Sequence, residues 1–219
     1  MKIEKIHIYF VPGLAASSKI FENIQLPENK FELHFLEWLI PLSLDESIEA
    51  YAKRMAALVS EKNVVLVGVS FGGIMVQEMS KHVNAQKVII ISSVKSKNEF
   101  SKRLQILQKT KAYKLFPTKV VSNIEDFSTI MFGKFAKKRF ELYKKYLSVR
   151  DELYLTWAIE HVLNWQQSDS LKNTIHIHGM NDHIFPIKNI KNCIPIENGT
   201  HIMILNKAKT ISKILSDTF

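Results

Sequence analysis

Residues 3–11 alternate apolar and polar side chains and then run apolar into Pro12-Gly13, which predicts a strand ending at a sharp turn. A second extended run, residues 31–38, closes at Pro41. Ser43-Leu44-Asp45-Glu46 then has the form of a capping box, and Ile48, Tyr51, Ala52, Met55 and Val59 recur at helical spacing, so a helix of about four turns is expected from there. Val64-Val65-Leu66-Val67 is continuously apolar and mostly β-branched, the mark of a strand covered on both faces of a parallel sheet. A helix over residues 72–83 and a strand over 87–92 complete a βαβ unit, for which a right-handed crossover is expected.

From residue 95 to residue 173 the alternation of strand and helix lapses. Helical patterns broken near Pro117 and Gly133 replace it. Strands are expected again at residues 174–178 and 193–196, and a final helix at 207–216 carries Ala208, Ile211, Ile214 and Leu215 on one side. The predicted fold class is therefore α/β: a mostly parallel sheet of about six strands flanked by helices, with a core of residues 1–94 and 174–219 and a helical insertion at 95–173.

Composition agrees with one domain. The chain has 219 residues, 46% hydrophobic and 23% charged, and dividing it would leave two small, marginal cores. No apolar run approaches the ~18 residues of a membrane span, so no stable membrane insertion is expected. Glu4 and His7 interrupt the apolar N-terminal run that precedes Ala15-Ala16-Ser17, which argues against a secretory signal. With Cys193 the single cysteine, in an apolar stretch that reads as a small buried thiol, a cytoplasmic location is expected. The net charge of +9 is uneven: between Lys95 and Arg150 there are 15 basic and 4 acidic residues. Such a field attracts anions, although lysines also simply solvate helix faces. No zinc-finger spacing or RNA-binding aromatic motif accompanies it, so nucleic acid is not an expected partner.

Chemistry concentrates in the predicted loops. Gly68-Val69-Ser70-Phe71-Gly72 is a G-x-S-x-G string directly after a strand and directly before a helix. A serine hydroxyl is a poor nucleophile, and a strained strand-to-helix turn exposes its oxygen to a base while glycines clear the turn. His201, in the loop between the last strand and the terminal helix, is the expected base, and Asp182, a short loop after the penultimate strand, the expected partner of that imidazole. An oxyanion needs two N–H donors: Phe71, next to the nucleophile, and Leu14, in the loop after the first strand. Six of the seven glycines, Gly13, Gly68, Gly72, Gly73, Gly179 and Gly199, fall in these loops. Loops bending around one point account for that clustering better than scattered turns.

At Pro12-Gly13, the turn around Ser70, the loop from Gly179 to Pro186 and the loop from Gly199 to Met203, the sequence resembles the α/β-hydrolase superfamily. The resemblance spans the chain apart from the insertion, and it implies that residues 95–173 form a cap over the site. Pro12-Gly13 stands where members of that family usually have His-Gly, and the chain resembles a shortened member lacking the first two antiparallel strands. Phe132, Trp157 and Trp165 are candidates for lining a pocket beneath the cap, although aromatics at helical spacing are more often core. The implied activity is hydrolysis of a carboxylic ester or thioester through an acyl-serine, on a small-molecule substrate and with neither metal nor organic cofactor. A basic cap is expected to favour acyl groups of anionic character.

The same frame also serves carbon–carbon bond hydrolases and lyases, and a non-catalytic small-molecule binding protein on this scaffold is a reading of another class. A metallohydrolase is a third, because His176, His178, Asp182 and His183 form a His-x-His-x-x-x-Asp-His string. That reading leaves the turn at Ser70 without a purpose.

Overall fold

The apolar runs become six strands of one sheet in the computed structural model, which describes residues 4–115 and 145–219. In chain order they are β1 (Ile6–Val11), β2 (Phe31–Phe35), β3 (Val64–Val69), β4 (Ala85–Ile91), β5 (Thr174–Gly179) and β6 (Ile194–Ile196). Every neighbouring pair is parallel, in the order β2-β1-β3-β4-β5-β6. The chain leaves β1 toward one edge and returns to place β3 on its other side. Between β1 and β3 the winding therefore reverses, and loops leaving the carboxyl ends of strands at such a switch point open a crevice.

β3 is buried along its whole length, as its continuous apolar sequence requires, and each such Val or Leu contributes roughly 1.5–3 kcal/mol by leaving water. Helix α1 (Ile48–Ala56) presents Ile48, Tyr51, Ala52 and Met55 to this core. It starts later than the capping-box pattern predicts. Ser43 Oγ accepts the Asp45 amide at 3.2 Å in a local turn, Glu46 accepts the Leu42 amide at 2.7 Å and Arg54 at 2.8 Å, and the N-cap is Ser47, which accepts the Ala50 amide. The Ser43 and Glu46 side chains serve the turn, so the helix cannot begin there. Helix α2 (Phe71–Met79) is buried at all nine positions, and it ends at Ser80, ahead of the residue 83 expected.

Among the described residues of the 95–173 segment are α3 (Lys102–Thr110) and α4 (Glu152–Asn164). Asp151 caps α4, accepting the Tyr154 amide at 2.8 Å. α4 is part of the core: Tyr154 and Trp157 have no exposed surface, and the Trp157 ring lies 4.2 Å from that of Tyr51. After α4 the chain is fastened to α2, with Trp165 Nε1 donating to Glu78 Oε1 at 2.8 Å and Gln167 Nε2 to Gln77 Oε1 at 2.9 Å. Burying Glu78 unpaired would cost several kcal/mol, and Lys81, at 2.6 Å, together with Trp165 removes that penalty. The chain closes with a short helix α5 (Met203–Asn206) that the sequence pattern does not predict, then α6 (Ala208–Asp217), which buries Ile211 and Leu215 as expected. No helix among the described residues is long and apolar enough to cross a membrane.

Candidate active site

Ser70 joins β3 to α2 with φ 54° and ψ −116°, a conformation that costs a non-glycine residue on the order of 1–3 kcal/mol. Its surroundings hold it there. The Ser70 amide donates to Ile91 O at 2.9 Å, and its carbonyl accepts the Gly73 amide at 2.9 Å and the Ser93 hydroxyl at 2.7 Å. A side chain at Gly72 would run into the carbonyls of Val11 and Pro12, so this glycine lets the first turn of α2 press against the exit of β1. That contact brings the loop after β1 to the serine, and a Cβ at Gly13 would stand 3.6 Å from Ser70 Cβ.

The loops after β5 and β6 complete the group. Gly179 and Gly199 face one another so closely that a Cβ on Gly179 would fall 2.5 Å from Gly199 O, and the Asn181 amide donates to the same carbonyl at 2.8 Å. Joined in this way, the loops bring Asp182 to His201. Asp182 Oδ2 lies 2.9 Å from His201 Nδ1, and His201 Nε2 lies 2.9 Å from Ser70 Oγ. Asp182 Oδ1 accepts the amides of Ile184 at 2.8 Å and Phe185 at 2.9 Å, while the Phe185 ring stands edge-on to the imidazole at 5.5 Å. Asp182 is 3% exposed and His201 9%, so the interaction between them is little screened by solvent.

Burial pushes the Asp182 carboxyl up. The interaction with His201 and its hydrogen bond, together with the Phe185 amide, outweigh that, and its pKa lies below the ordinary value. The carboxylate is therefore ionised beside an imidazole that can accept a proton from Ser70 on its other nitrogen. Behind it, His178 Nε2 donates to Phe185 O at 2.8 Å and lies 3.6 Å from Asp182 Oδ2. His176 Nε2 in turn lies 3.0 Å from His178 Nδ1. Burial lowers both pKa values, that of His176 to about 2, so this pair is neutral. In the His-x-His-x-x-x-Asp-His string, then, His176 and His178 bond to each other and to the loop that presents Asp182.

Phe71 opens α2, so its amide belongs to the first turn, whose N–H groups have no acceptor within the helix and carry the positive end of its dipole. Leu14 follows Gly13 in the loop facing Ser70. Trp38 braces both: its ring stacks on Phe71 at 5.0 Å, and its Nε1 donates to Gly13 O at 3.0 Å. Ala15, at φ 62°, continues the strained loop; its carbonyl accepts the Val149 amide at 3.0 Å, and the Ser17 amide donates to Tyr146 O at 3.1 Å. The return of the insertion thus buttresses the loop after β1.

Ser70, Asp182 and His201 are brought together, with Phe71 and the Leu14 loop beside them. Trp157 and Trp165 are instead enclosed in packing, Trp157 donating to Glu46 O at 2.6 Å and Trp165 to Glu78, and Phe132 lies outside the described residues. Sequence patterns gave no sign of the supporting roles of Trp38, Ser93 and Phe185. Each acts through a contact whose partner lies on another element or across a turn.

No family model matches the sequence, and no curated protein sequence matches it either. Solved structures do resemble the fold. A lipase-esterase related protein from Clostridium acetobutylicum superposes with a TM-score of 0.66 at 15% identity, covering 100% of this chain and 96% of that one. A hydrolase from Pseudomonas aeruginosa gives 0.70 at 12% identity, covering 96% and 88%. The enol-lactonase from Burkholderia xenovorans gives 0.68 at 11% identity, covering 98% and 91%. Identities this low speak for architecture alone, and with its six-stranded parallel sheet flanked by helices the chain has the α/β-hydrolase fold.

Proposed function

We propose that the chain is a serine hydrolase that cleaves a carboxylic ester or thioester of a small molecule through an acyl-serine intermediate. The observation that carries this reading is the unbroken line from Asp182 through His201 to Ser70, with both contacts at 2.9 Å. Ser70 Oγ attacks the carbonyl carbon as its proton passes to His201 Nε2, and Asp182 stabilises the resulting imidazolium. The carbonyl oxygen takes up negative charge beside the amides of Phe71 and Leu14. His201 then returns the proton to the leaving alkoxide or thiolate. A water, deprotonated by the same imidazole, releases the carboxylic acid and restores the serine. The neighbours named as a lipase-esterase related protein and an enol-lactonase support ester-type substrates as the class to test first.

The insertion at residues 95–173 acts in this reading as a cap, and its surplus of basic residues favours acyl groups of anionic character. Cys193 is half-buried, and burial raises its thiol pKa, which suits an inert thiol in a reducing compartment such as the cytoplasm. The test is a panel of nitrophenyl esters of graded acyl length, some with a terminal carboxylate, assayed beside acyl-thioesters. Turnover is expected, with a burst of up to one nitrophenolate per chain on esters whose acyl-enzyme hydrolyses more slowly than it forms. Absence of turnover across the panel in wild-type protein would count against the reading.

A further inference from the structure

We propose a divalent-metal site formed by His7, Glu32 and His34 at the edge of the sheet, at the end remote from Ser70, with Zn²⁺ or Cu²⁺ as its cation. The parallel register sets His7 opposite Glu32 and Tyr9 opposite His34. Alternation along each strand turns all four side chains to one face. His7 Nδ1 and His34 Nε2 share a hydrogen bond at 3.0 Å, and one ring nitrogen from each histidine and a Glu32 carboxylate oxygen all lie within 4.8 Å of one another. Two imidazole nitrogens bound to one tetrahedral zinc at ~2.0–2.1 Å stand roughly 3.3 Å apart, so the rings need move only a few tenths of an ångström to share a cation. Glu32 would swing in as the third ligand, and water would complete the shell.

The surroundings favour a fixed site. His34 stacks on Tyr9 at 4.3 Å with an angle of 9° between the rings, and the Tyr9 hydroxyl is anchored 3.2 Å from Ser60 Oγ. Tyr9 is buried while Glu32 is exposed, so one ligand ring rests on a rigid wall and the site opens to solvent. Two imidazoles and one carboxylate suit borderline cations and disfavour Ca²⁺ and Mg²⁺, which prefer oxygen ligands. His7 lies at the level of Val64, one step before the pairing of Ile8 with Val65, and β3 runs from there to Ser70, roughly 20 Å away at the rise of a strand. The cation would therefore clamp the edge strand β2 to β1 without entering the chemistry at Ser70.

Zinc titration of the untagged chain against a chromophoric zinc indicator tests this, in parallel with His34→Gln, Glu32→Gln and His201→Ala. Wild type and His201→Ala are expected to take up one equivalent with equal affinity, His34→Gln to lose affinity at least about tenfold and Glu32→Gln by a smaller factor. Cobalt provides a second reading, of coordination geometry, because a tetrahedral site gives intense visible bands, expected in wild type and lost in His34→Gln. The proposal is overturned by no saturable uptake in wild type, by loss in His201→Ala with retention in His34→Gln, or by equal uptake in all variants.

Discussion

The two flanks of Ser70 are built in different ways. On one side Asp182 and His201 stand on loops that bond chiefly to each other, through Gly179 against Gly199 and Asn181 on Gly199 O, with His178 holding Phe185 from behind. On the other side the loop from Gly13 to Ser17 leans on distant chain: Trp38 holds the Gly13 carbonyl, and Tyr146 and Val149 hold Ser17 and Ala15. Proton transfer tolerates little error, and a self-contained pair of loops suits it. The flank that would receive the oxyanion is instead tied to the insertion, so any movement there reaches the backbone beside the substrate while leaving the base in place.

Substitutions on the first flank should abolish chemistry outright. Ser70→Ala and His201→Ala are each expected to lower kcat about 10⁴-fold or more, measured on the best ester of the panel. Asp182→Asn comes next, with a loss of roughly 10²–10⁴-fold, because an amide can neither fix the imidazole tautomer nor stabilise its cation. A rate within a few-fold of wild type for any of the three would dissolve the contrast.

On the second flank the effect should be smaller and of a different kind. Trp38→Phe keeps the stack on Phe71 but removes the donor to Gly13 O, and a fall of about tenfold in kcat with KM little changed is expected. A rise in KM alone would mean that Trp38 shapes substrate binding and not the oxyanion contact.

Much of this was legible in the sequence, for identifiable reasons. Ser70 follows the continuous apolar run of β3, Asp182 and His201 follow the shorter strands β5 and β6, and parallel strands deliver their following loops to one edge of the sheet. What escaped depends on register and packing. The false start of α1 at Ser43 came from a motif whose Glu46 is committed to Leu42 and Arg54. Trp157 and Trp165 are candidates by sequence for lining a pocket beneath a cap, yet they fill the interior against Tyr51 and Glu78. His7, Glu32 and His34 meet only because β2 pairs with β1 in one particular register, while His176 and His178, which looked like metal ligands by spacing, support the Asp182 loop.

The neutral pair behind Asp182 makes stability depend on pH. The folded chain binds fewer protons at His176 and His178 than the unfolded chain, so their contribution is complete above about pH 6.5 and is lost as the pH falls toward about 2. Denaturant unfolding at pH 5 should give a free energy about 2 kcal/mol below that at pH 8 from His176 alone. A flat profile would mean that the pair charges freely in the native state. Smallest is the effect of Trp165→Phe, since Trp165 bonds to the last turn of α2 and not to either flank. Loss of the bond to Glu78 should lower stability by about 1–2 kcal/mol, with kcat within about twofold of wild type.

The most direct test of the central claim is the site of covalent capture by a fluorophosphonate, read as intact mass and by peptide mapping. One adduct per chain on Ser70, absent in Ser70→Ala and greatly slowed in His201→Ala, is the predicted result. No adduct in wild type, or an adduct that persists in Ser70→Ala, would contradict the account.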